Sequence, residues 1–103
     1  MLTDDQIREL KAKHGPKLAH FATELGDVVF RPPTRAEFER FVDEGQTASK
    51  AGAMTTLVRS CVVLPTPAEF EQMLDRQPAY VLKFAIKIQD LAGNKAQLEG
   101  KEL

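Results

Sequence analysis

The chain has 103 residues, and its 14 Lys plus Arg against 15 Asp plus Glu give a formal net charge of −1. At 43% hydrophobic and 28% charged residues it reads as a soluble globular chain with room for one domain and a thin core. That balance excludes a global basic field for non-specific nucleic-acid binding, and the thin core leaves no deep cleft for a large cofactor.

The N-terminus Met1-Leu2-Thr3-Asp4-Asp5 is acidic and lacks an apolar stretch, so no secretory leader is expected. The longest apolar run, Cys61 to Pro65, is far too short to span a bilayer. A single cysteine, with no Cys/His cluster, predicts a cytoplasmic protein without a metal or another cofactor.

The first element is marked by its cap. Thr3 and Gln6 have capping-box spacing, and Asp4 and Asp5 lie at the positive end of the helix dipole. Lys11, Lys13 and His14 crowd the other end, and Gly15-Pro16 stops the helix, which is therefore placed at 4–14. Its apolar stripe, Ile7 and Leu10, is narrow, so it must dock on something to persist. A β-hairpin follows, from Lys17–Thr23 and Asp27–Arg31 around Glu24-Leu25-Gly26. Leu18, His20 and Ala22 face one way and Ala19, Phe21 and Thr23 the other. Pro32-Pro33 ends the second strand, because neither residue can donate to a ladder.

The rest reads as helices. Thr34 and Glu37 form a second capping box, Phe38, Phe41 and Val42 are the expected buried stripe, and Gly45 closes the helix. Residues 47–63 carry Ala48, Ala51, Met54, Thr55, Val58, Cys61 and Val62 at helical spacing. Thr66 with Pro67 opens a further helix whose core face is Phe70, Met73 and Leu74. The last runs from about Ala79 to Ala92, with Gly93 as its C-cap.

The plan is therefore an α+β fold, predominantly α: a short N-terminal helix, a hairpin, and about four short amphipathic helices. Residues 1–93 are read as a single compact domain and 94–103 as a flexible C-terminal tail with little to bury.

Chemistry is sparse along this plan. His14 sits at a helix C-terminus, His20 on the solvent side of a strand, and Cys61 on an apolar stripe between Val58 and Val62. The carboxylates Glu37, Glu39, Asp43 and Glu44 look like the wet side of one helix. No nucleophile elbow or phosphate-cradling loop is present, so no enzymatic activity is expected. The helices at 67–76 and 79–92 resemble a helix-turn-helix superficially. The second begins Ala79-Tyr80-Val81-Leu82, which offers almost nothing to base edges, and Lys83 with Lys87 is too small a footprint for nucleic acid.

Two features point instead to a protein partner. On the last helix Tyr80, Val81, Phe84, Ala85, Ile88, Leu91 and Ala92 share one broad face, whereas Leu82 and Ile86 lie four apart on the other, beside Lys83. They are either a contact for a partner or are covered by the hairpin or first helix. Arg31 and Arg35 flank the rigid Pro32-Pro33 elbow, where they either pair with Glu37 and Glu39 or face a partner. Leu82, Ile86, Lys83, Arg31 and Arg35 are thus the candidate partner-binding residues. The small-residue helix at 47–63 and the two-sided last helix both suit packing into a homo-oligomer.

The succession of elements resembles a known family. It runs through Glu9-Leu10-Lys11-Ala12-Lys13-His14-Gly15 and Val28-Val29-Phe30-Arg31-Pro32-Pro33-Thr34-Arg35-Ala36-Glu37. It continues in Thr56-Leu57-Val58-Arg59-Ser60-Cys61-Val62-Val63-Leu64-Pro65 and closes at Ala92-Gly93. In that order, over residues 3–93, it is similar to the tail assembly chaperones of tailed bacteriophages and prophages.

The resemblance implies a small, helical, non-enzymatic protein of the bacterial host cytoplasm, encoded between the tail tube and tape measure genes. Such a protein binds the tape measure or tail tube protein during tail assembly and is absent from the finished virion. Many members also exist in a longer, frameshifted form; the family has no catalytic residues to carry over. A virion structural or adaptor protein, which would stay in the particle, is the alternative. A small DNA-binding regulator is the third reading.

Overall fold

The computed structural model describes residues 2–94 and 98–103. Helix α1 spans Asp4–His14 and is followed by strands β1, Ala19–Thr23, and β2, Gly26–Phe30. Helices α2, Arg35–Thr47, and α3, Lys50–Cys61, lead into a third strand β3, Val62–Leu64. Helices α4, Pro67–Arg76, and α5, Tyr80–Gln89, complete the domain, and α5 runs on into a π-helical turn at Asp90–Asn94. The α+β, mainly α plan holds, with helices around a small antiparallel sheet.

The caps decide where the helices start. Thr3 accepts from the Gln6 N–H and Gln6 returns the bond, and Thr34 with Glu37 does the same for α2. Thr66 caps α4 with Pro67 in the first turn. Gly15 and Gly93, at φ +97° and +104°, take positive-φ conformations that cost little for a residue without Cβ; Gly15 ends α1 and Gly93 kinks the turn at Asp90–Asn94.

The structure differs from the sequence expectation in several places: β1 starts at Ala19, β2 runs over Gly26–Phe30 and leaves only Glu24-Leu25 as the turn, and the last α-helix covers Tyr80–Gln89. Gly45 does not close α2, which runs on to Thr47, because Ala48 turns the chain and Ser49 immediately caps α3 by accepting from the Gly52 N–H. Residues 62–64 are not the end of a helix but β3. Val62, Val63 and Leu64 are β-branched or large and apolar, and an open edge of β2 lies within reach. The buried face of α3 is Ala53, Leu57, Val58 and Cys61, whereas Ala48 and Ala51 are exposed. Of the segment read as a tail, residues 95–97 lie outside the described residues, and 98–103 carry no regular secondary structure.

The sheet order is β1-β2-β3, antiparallel throughout. Ala19 pairs with Phe30 and Thr23 with Gly26, so the hairpin turns over Glu24-Leu25, with the Thr23 hydroxyl accepting from the Leu25 N–H. Val29 pairs with Leu64 and Phe30 with Val62, a step of two residues against one that makes Val63 a bulge. As the middle strand, β2 buries Val28, Val29 and Phe30.

The core gathers on Phe84 of α5. Its ring lies 4.9 Å from both Phe21 and Phe30 and 6.1 Å from Phe70, in the tilted and offset arrangements that aromatic quadrupoles favour. Leu57, Val58, Met73, Leu74 and Ile88 fill the space around it.

Helix α2 lies at the margin of this core and reaches it through Phe41. It packs along α3 but buries no residue fully: Phe38 and Phe41 are half-buried, and Val42 is 41% exposed. The expected buried stripe is therefore only half covered: α2 packs mainly along α3, with Phe41 against the core and Val42 turned to solvent.

Candidate protein-binding surface

Leu82 and Ile86, four residues apart on α5, are exposed to 51% and 59%. They lie opposite the buried Phe84, Ala85 and Ile88, and neither the hairpin nor α1 covers them. Beside them a shallow depression runs between α3, α4 and α5, walled by Met54, Leu74, Val81 and Leu82. Met54 also walls a second groove between α2 and α3, of about 270 Å³, lined by Phe41, Val42, Gly45, Gln46, Lys50 and Ala53.

Met54 is thus the shared rim of two adjoining hollows. Val42 on α2 and Leu82 on α5 line these two hollows on either side of α3, and Thr55, Asp75 and the Arg59–Glu71 pair also line the one beside Leu82. The sequence pattern marks Leu82 and Ile86; it also predicts Phe41, Val42 and Met54 as inward, and of these Phe41 and Met54 do pack against the core while Val42 is exposed. The signal for the exposed Val42 was a surplus of amphipathic helices for so thin a core.

The charged candidates separate into two kinds. Lys83 is exposed on α5, next to Leu82. Arg31 is committed to the fold. Its guanidinium donates to both carboxylate oxygens of Glu37, at 2.8 and 2.9 Å, to the Ser60 carbonyl at 2.6 Å, and to the Pro32 carbonyl. Glu37 at the same time accepts from the Thr34 N–H.

One planar pair therefore joins the end of β2, the start of α2 and the last turn of α3, where unsatisfied carbonyls favour a cation. The Arg31 hydrogen bonds, helped by the Thr34 N–H, hold the Glu37 carboxyl down at about 2. Arg35, by contrast, is open to solvent and pairs only with Glu39 one turn on. The elbow brings Arg31 and Arg35 to one corner but gives them different work.

The remaining reactive groups are accounted for in the same way. Cys61 is buried among α3's core residues, and burial pushes its thiol up to about 11, the state of an inert side chain. His20 and Asp27 meet at 2.8 Å across the outer face of the hairpin, and this contact holds the Asp27 carboxyl below its ordinary range. Among the described residues no group of three or more His, Cys, Asp or Glu is placed to hold a metal ion, and no helix is long and apolar enough to cross a membrane.

Among solved structures, the chain is similar to one described as an uncharacterised protein from Bacillus stearothermophilus. The two are 25% identical with a TM-score of 0.74, and the match covers 92% of this chain and 99% of that one. No curated protein matches the chain. Residues 10–101, nearly its whole length, match the family model described as a domain of unknown function, DUF6848, and the chain belongs to that family.

Proposed function

We propose that this chain is a non-enzymatic assembly chaperone of a tailed bacteriophage or prophage. In this reading it works in the host cytoplasm and holds an apolar helical segment of the tape measure protein during tail morphogenesis. The observation that carries the reading is the uncovered Leu82–Ile86 ridge, beside a depression that shares Met54 with the α2–α3 groove. A client rich in amphipathic helix can lay its stripe along such a surface, matching apolar residues at every third or fourth position. The order of elements that resembles tail assembly chaperones supports the choice of client.

The test is co-expression of the chain with the tape measure protein encoded in the same genome, followed by capture through a tag on the chain. The tape measure protein is expected to co-purify with the wild type and to be lost with Leu82→Asp/Ile86→Asp, checked as folded by circular dichroism. Undiminished recovery of the client by that folded variant sinks the proposed surface. Failure of the wild type to capture the client sinks the chaperone reading.

A further inference from the structure

We propose that the chain pairs with a second copy of itself by seating the Leu82–Ile86 ridge of one protomer on the Val42 edge of the other's α2–α3 groove. The inference does not need a client, and because it covers the ridge and groove given above to a client, pairing and client binding would compete. It rests on two apolar surfaces of one chain whose flanking charges are complementary. The ridge stands out from α5, its two aliphatic side chains more than half exposed. The groove is a hollow of about 270 Å³ walled by Phe41, Val42, Ala53 and Met54, with the methylenes of Lys50 and Gln46 at its edge.

The charges flanking them are arranged to the same rule with opposite sign. Around Ile86, Lys83 and Lys87 lie three residues before and one after, and both are exposed. Around Val42, Glu39 and Asp43 lie three residues before and one after, and both are exposed. On a right-handed helix these offsets put both charges on the same shoulder of the apolar residue. When two helices face each other antiparallel, shoulders of the same hand meet; when parallel, they fall on opposite sides. Antiparallel packing of α5 on the partner's α2 therefore places two lysines beside two carboxylates, whereas parallel packing separates them. Among the described residues Lys83, Lys87 and Asp43 enter no ion pair within the chain, and Glu39 holds only the exposed Arg35.

Size favours a reciprocal arrangement. A few half-covered aliphatic side chains fall well short of the roughly 800 Å² per partner of a standard interface. A two-fold pairing uses both ridge and groove of each protomer, so the contact is made twice with Met54 near the centre. A net charge of −1 leaves little repulsion between copies.

The experiment is sedimentation equilibrium of the purified full chain across the micromolar range. The wild type is expected to be a dimer that weakens as salt is raised. Leu82→Asp/Ile86→Asp, shown to be folded by circular dichroism, is expected to be a monomer. The pair Lys83→Glu/Lys87→Glu should weaken the dimer about tenfold or more, as should Glu39→Lys/Asp43→Lys. Combining the four changes should restore it, a recovery that a folding defect would not give. A wild type that stays monomeric at about 100 µM overturns the pairing. A folded ridge variant that stays dimeric, or a four-fold charge swap without recovery, overturns the assigned surfaces. None of these readings depends on whether a tape measure protein binds.

Discussion

Helices α2 and α4 begin with the same chemistry and end in different positions. Each starts on a threonine that accepts from the backbone N–H three residues on, with a glutamate at that third place. Each carries three large apolar residues at helical spacing. Yet α4, at 10 residues, buries Phe70, Met73 and Leu74, while α2, at 13, buries none. The difference lies in the neighbours. Helix α4 lies against Phe30 and Phe84, whereas α2 packs mainly along α3 and reaches the core only at its margin, through Phe41. A cap and a stripe specify that a helix forms; how much of the stripe is buried depends on how much chain is left to cover it.

The sharpest way to break the comparison is to remove the centre of the core. Phe84→Ala should cost about 3–5 kcal/mol in denaturant unfolding, since the ring touches four other aromatic residues and the cavity cannot collapse onto a shorter side chain. Next in size is the pair that clips α2 to the rest. Glu37→Gln should cost about 2 kcal/mol, because it leaves the Arg31 guanidinium half-buried without its carboxylate.

The same pair predicts an acid limb. Glu37 titrates near 2 in the fold and near 4.5 in the unfolded chain, so the stability it supplies is complete above pH 4.5 and lost as the pH falls toward 2. The wild type should lose stability through that window in pH-dependent urea melts, and Glu37→Gln should show a flatter slope there.

Smaller effects belong to α2 and the ridge. Phe41→Ala should cost only about 1 kcal/mol by the same melts, because its ring is already partly in water. Amide exchange should place the opening of α2 well below that of α4 and the inner face of α5. Smallest of all, Leu82→Asp/Ile86→Asp should shift the stability of the monomer by about 0.5 kcal/mol or less per residue. A loss of several kcal/mol would mean the ridge is part of the core after all.

Local chemistry made much of this legible in the sequence. Both capping boxes, the existence of the hairpin with His20 outward, the core face of α4 and the inner face of α5 follow from spacing and residue type. The hairpin register does not, since Gly26 pairs with Thr23 instead of lying in the turn. What stayed hidden depends on distant chain. Val62-Val63-Leu64 extends a helical pattern when read alone; only the free edge of β2, more than thirty residues earlier, makes it a strand. Arg31 could be assigned to Glu37 or to a partner from the sequence, and the Ser60 carbonyl, 29 residues away, completes its set of acceptors. The outward half of the candidate surface was read through Leu82 and Ile86. Val42 reads as core, because periodicity reports which face is apolar and not whether anything lies over it.

The chain leaves the sheet at Arg31 and returns to it at Cys61, and the Arg31 N–H meets the Cys61 carbonyl at 3.0 Å. Everything between, the whole of α2 and α3, is a detour that starts and finishes at one point. Lengthening such a closed excursion costs little: each doubling of a flexible connection adds only about 0.6 kcal/mol of closure entropy. Its apex at Ala48-Ser49 faces solvent and lies far along the chain from that clasp. Extra residues, or an entire guest domain, inserted there should leave the sheet and the aromatic core undisturbed.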